Sequence, residues 1–65
     1  MNIDFLNSRI EEIDRRIQWL SERQSRYVHN TQAFTKYGNE IAYEERKKEE
    51  LINRLGLLWA GQELL

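Results

Sequence analysis

The sequence predicts an all-α protein: an antiparallel, coiled-coil-like helical hairpin that dimerises into a four-helix bundle. Three observations carry this expectation. Ile3, Leu6, Ile10, Ile13, Ile17 and Leu20 recur alternately three and four residues apart, a heptad seam filled only by Ile and Leu. At roughly 100° per residue, Ile41, Leu51, Ile52, Leu55, Leu58 and Trp59 share one face of a later helix. Between the two stripes, Val28 to Glu40 is rich in poorer helix formers, with Thr, Asn and Gly among them. Two apolar stripes near opposite ends, with a breaker between, fold back on each other.

The bulk composition agrees with helix. Proline is absent, charged residues make up 32% of the chain, and no strand-like alternation occurs. Sixty-five residues leave room for a single domain, 1–65. So short a chain buries a poor fraction of its surface and usually relies on disulfides, metal or oligomerisation. There is no Cys and one His, His29, so neither a disulfide nor a structural zinc site is expected, nor any other cofactor. Oligomerisation remains, and an obligate homodimer is the expected state. Its core would be the Ile3–Leu20 seam together with Leu51, Ile52, Leu55, Leu58 and Trp59.

No run approaches the roughly 18 apolar residues of a membrane span; the most apolar piece is Leu55-Gly56-Leu57-Leu58-Trp59-Ala60. Asp4 stands where a basic leader would be, so the N-terminus does not read as a signal peptide. A cytoplasmic location away from membranes follows as an expectation. The net charge of −1, from ten basic and eleven acidic residues, argues against a general polyanion binder.

Taken in order, Asn2 is the expected N-cap, and Asp4 in the first turn favours the helix dipole. The first helix is expected over 3–28, or over 3–37 because the heptad continues in more polar form through Gln24, Tyr27, Thr31 and Phe34. Glu11–Arg15, Glu12–Arg16, Glu22–Arg26, Glu44–Lys48 and Glu50–Arg54 each set a Glu four residues before a base, the better orientation on a helix. The turn is expected within 29–39. Punctuation favours Gly38-Asn39, with Gly38 as a left-handed C′ residue after Lys36 and Asn39 as the cap before Glu40.

Symmetry of the apolar blocks instead centres the fold near residue 34. That register sets Leu20 near Glu49, Ile13 near Leu55 and Ile10 near Trp59. The second helix is expected over 40–60, with Glu45 and Lys48 interrupting its face, Gly56 weakening its interior and Gly61 capping its end. The competing arrangement is one straight helix in a parallel coiled coil, which would place Gly38 and Glu45 at core positions.

Catalysis has no visible basis. One His and no Cys cannot assemble a Ser-His-Asp or Cys-His set, Gly38-Asn39 is no phosphate loop, and a hairpin offers no pocket. Trp19 is the residue that does not fit the seam. It lies roughly 150° from the seam direction and should face outward with Arg15, Arg16, Arg23 and Arg26, among Glu12 and Glu22. A Trp ringed by Arg is the composition of a protein–protein hot spot, and also of a stacking-plus-phosphate surface. Its structural alternative is a Trp lying over its own arginine stems or packed against a second dimer. Tyr27, His29, Phe34, Tyr37 and Tyr43 gather round the turn, either to plug the end of the bundle or to form a recognition tip. Of these, Tyr27, Phe34 and Tyr37 join the candidate partner face. Phe5, Leu57 and Leu64 lie off both seams.

The expected function is non-catalytic: binding another macromolecule, foremost a protein, and modulating it by occupancy, as an accessory or phage-type regulator would. The hairpin-dimer architecture resembles Rop, a dimer of helical hairpins that binds RNA loop complexes. That resemblance implies nucleic acid as the alternative partner. A structural assembly subunit is the third expectation.

Overall fold

Two packed helices, α1 (Ile3–Ser25) and α2 (Thr31–Leu64), form an antiparallel hairpin. The computed structural model describes residues 3–64, with side chains as far as Gly61; Asn2 and the Leu64 side chain lie outside that range. At 1.5 Å per residue the 34 residues of α2 span about 51 Å, which accounts for the 54 Å long axis.

The turn occupies 26–30 and uses no residue of positive φ. The end of α1 tightens instead: the Arg26 and Tyr27 amides donate to the Arg23 and Gln24 carbonyls at 3.1 and 3.0 Å, the three-residue bonds that commonly close a helix. The Ser25 hydroxyl donates to the Glu22 carbonyl at 2.6 Å. Asn30 then opens α2. Its Oδ1 accepts the Ala33 amide at 3.1 Å and its carbonyl accepts the Phe34 amide at 2.9 Å, an N-cap.

This corrects the expected boundaries. The first helix stops at 25 rather than 28 or 37, and the second runs 31–64 rather than 40–60. Gly38-Asn39 therefore lies inside α2, as does Gly61. A Cβ on Gly38 would come within 3.1 Å of Gln24 Nε2, so the glycine admits the Gln24 amide against α2, where it donates to the Phe34 carbonyl at 3.1 Å.

Moving the turn moves the register. Facing residues have numbers adding to about 60: Arg16 with Glu44, Arg23 with Tyr37, Asp14 with Lys48. Leu20 is therefore level with Ile41 rather than Glu49, a shift of about two helical turns from the expected register. Trp59 is carried past the start of α1 and does not face Ile10.

Among the described residues only Leu6, Ile13 and Leu20 are buried apolar side chains, one per heptad of α1. Ile3, Ile10 and Ile17, the alternate seam positions, are half-buried. The facing row of α2 is Tyr37, Ile41, Glu44, Lys48, Leu51, Leu55 and Leu58, again alternately four and three apart. Two charged residues thus take neighbouring seam positions in mid-hairpin. Glu44 is 4% exposed, while Glu45, expected to interrupt the face, points to solvent. Leu51 and Leu55 are half-buried; Ile52, Leu58 and Trp59 are exposed and lie outside the hairpin's own core.

Burial also redirects the ion pairs. Arg16 Nε reaches Glu44 Oε1 at 3.1 Å and Lys48 Nζ reaches Asp14 Oδ1 at 2.6 Å. Both bases, expected to pair within their own helix, bridge the two helices instead. For Arg16 the reason is the seam position of Glu44, whose carboxylate gains more from partners than an exposed one does; Lys48 turns instead to the half-exposed Asp14.

Gly56 is an exposed interior residue of α2, and a Cβ there would meet nothing within 4 Å. Gly56→Ala is expected to stabilise the helix by about 1 kcal/mol and to raise the melting temperature by several degrees in a circular-dichroism melt. A lowered melting temperature would mean that a neighbour occupies that space.

Candidate interaction face

Trp19 and Arg23 stand four residues apart on α1, the spacing at which side chains on a helix meet. The Arg23 guanidinium lies 4.8 Å from the centroid of the Trp19 ring, a cation–π contact. From there Arg23 Nε donates to the Tyr37 hydroxyl on α2 at 3.4 Å. The Tyr37 ring stacks on Tyr27 in the turn, with centroids 5.6 Å apart and planes 21° apart. One ladder, Trp19–Arg23–Tyr37–Tyr27, therefore joins α1, α2 and the turn.

Trp19 is 51% exposed and Tyr27 is also exposed, whereas Arg23 and Tyr37 are half-buried. The ladder thus has an anchored middle and open ends. The Arg23 guanidinium is a permanent cation, as any arginine is, and its hydrogen bond to the Tyr37 hydroxyl raises its pKa further. Rings held in place by neighbours lose less freedom when a partner arrives. A cation lying over one ring and bonded to the hydroxyl of another suits a carboxylate, a carbonyl or a further ring.

The other candidate residues separate from this group. Arg16 is held by Glu44. Arg15 and Arg26 are exposed and form no ion pair among the described residues. Phe34 is exposed in the first turn of α2, and its ring does not belong to the stack. His29 is exposed in the turn.

The residue that sequence reasoning missed is Glu44. Around it Arg9, Glu12, Ile13, Arg16, Tyr43 and Lys47 line a shallow groove. Lys47 Nζ lies 3.4 Å from Glu44 Oε2, near enough to pair by charge but outside hydrogen-bond geometry, so that buried oxygen accepts no hydrogen bond. Lys47 also sits 4.9 Å over the Tyr43 ring. The signal was available: counting heptads back from Leu58 and Leu51 lands on Glu44.

Among the described residues, no group of three or more His, Cys, Asp or Glu could hold a metal ion, and no helix is long and apolar enough to cross a membrane. No family model matches the chain, nor does any curated protein or solved structure match it significantly.

Proposed function

We propose that this chain is a non-catalytic helical hairpin that acts as a homodimer and binds another protein, modulating it by occupancy. The observation supporting the binding role is the Trp19–Arg23–Tyr37–Tyr27 ladder: aromatic and arginine side chains, the residue types that dominate hot spots, fixed by one another on an outer face. Homodimerisation is supported by the width of the Ile/Leu seam, whose alternate positions Ile3, Ile10 and Ile17 remain only half-buried against α2. Nucleic acid is the weaker reading, because Arg16 is neutralised by Glu44, and Glu12 and Glu22 share the face.

Affinity capture from host lysate with wild type and with Trp19→Ala tests the reading. Trp19 is exposed and outside the core, so the variant is expected to keep its helicity and its size. Recovery of the bound protein should fall at least about tenfold, as for a hot-spot truncation. Equal recovery by both would remove Trp19 from the interface. Micromolar binding to a generic RNA, weakening steeply with salt, would support nucleic acid instead.

A further inference from the structure

We infer that the second copy covers one particular side of the hairpin, the side carrying Ile10, Ile17, Ile41 and Ile52 around the Asp14–Lys48 ion pair. This rests on the homodimer reading and adds which face is used.

The interhelical ion pairs mark the two sides. Asp14 and Arg16 are two residues apart, about 200° around α1, so they reach α2 from opposite flanks. On the Asp14 flank, Ile10 and Ile17 lie four residues before and three after it, in the same row. On α2, Ile41 and Ile52 lie seven before and four after Lys48, again in its row. That side is therefore two apolar rows with one neutral ion pair between them, bordered on α2 by Glu45 and Glu49. The opposite side carries Arg9, Glu12, the Arg16–Glu44–Lys47 cluster and the Trp19 ladder. The middle of that side, crowded with charges, suits solvent or a polar partner rather than a core.

Area points to a second copy as the occupant. The chain exposes 5340 Å², whereas a compact protein of 7.9 kDa exposes roughly 4,400 Å². The excess of about 900 Å² is close to the ~800 Å² that each partner contributes to a stable interface. Exposure at the seam is where burial is needed: Ile10, Ile17 and Ile41 are half-buried, and Ile52 is 46% exposed.

Charge and position suit two-fold pairing. Asp14 is the middle residue of α1, and Lys48 stands at the middle of α2. A two-fold axis running parallel to the helices sets α1 of one copy against α2 of the other and brings Asp14 level with Lys48 of the partner subunit. An axis perpendicular to the helices would instead set Asp14 against Asp14 of the partner subunit, so the ion pair selects the first arrangement. The dimer then displays two ladders on its outer sides.

Sedimentation equilibrium on wild type, Ile52→Glu and Tyr43→Glu tests this. Wild type and Tyr43→Glu should be dimers, while Ile52→Glu should dissociate at least about a hundredfold more readily with its helicity retained. A dimer unaffected by Ile52→Glu but broken by Tyr43→Glu would overturn the face and leave the homodimer standing. A wild type that is monomeric throughout would overturn both. Should Ile52→Glu unfold, single cysteines in this cysteine-free chain decide the matter. Maleimide should label Ile52→Cys at least about tenfold more slowly than Tyr43→Cys, with protection lost on dilution; equal, concentration-independent rates would overturn the assignment.

Discussion

Leu20→Ala is expected to destabilise the protein by about 2–5 kcal/mol, the range for truncating a buried leucine. Leu20 is 1% exposed and is one of three buried apolar side chains among the described residues. The ladder and the Arg16–Glu44 bridge tie the two helices on either side of that level. Urea unfolding at one fixed protein concentration measures the loss. Leu57→Ala is the matched control: Leu57 is 74% exposed, and its truncation should cost less than about 0.5 kcal/mol. Equal losses at the two positions would show that Leu20 does not face α2 as described.

Glu44→Leu should do the opposite and raise stability, by about 1–3 kcal/mol. A buried carboxylate loses its hydration, and only part of that loss is recovered from Arg16 and Lys47. Oε1 is bonded; Oε2 accepts no hydrogen bond. Both partners have substantially exposed side chains, so removing the carboxylate returns them to water and strands no buried charge. The substitution also leaves Lys48 as the one charged residue of the α2 seam between Ile41 and Leu51. A chemical-denaturation series with Glu44→Gln as the intermediate case reads the effect. A loss of several kcal/mol would mean that the charge cluster itself contributes to holding the helices together.

The hairpin was legible in the sequence because the Ile3–Leu20 seam is uninterrupted, and a continuous Ile/Leu row constrains one helix and implies a second. The turn was less legible. Gly38 is the strongest breaker in its region, yet a helix interior accommodates it because a side chain, Gln24, needs the space. Asn30, the actual cap, was visible only as an ordinary Asn-Thr step. Misplacing the turn carried the register with it, which is why Trp59 was set opposite Ile10 and Glu44 was passed over in favour of Glu45. The outward placement of Trp19 followed correctly from helical period alone. Its junction with Tyr37 and Tyr27 did not, since contacts between elements depend on the register, whereas direction on a single helix does not.

The fold's stability turns on how so few buried apolar side chains, three among the described residues, keep the helices together. The most direct measurement is the melting temperature of wild type across a hundredfold or so of protein concentration. A homodimer gains stability by mass action, so the midpoint should climb steadily as concentration rises. A sharp, cooperative midpoint that stays fixed from end to end would show that one copy folds alone and that its open isoleucine face needs no twin.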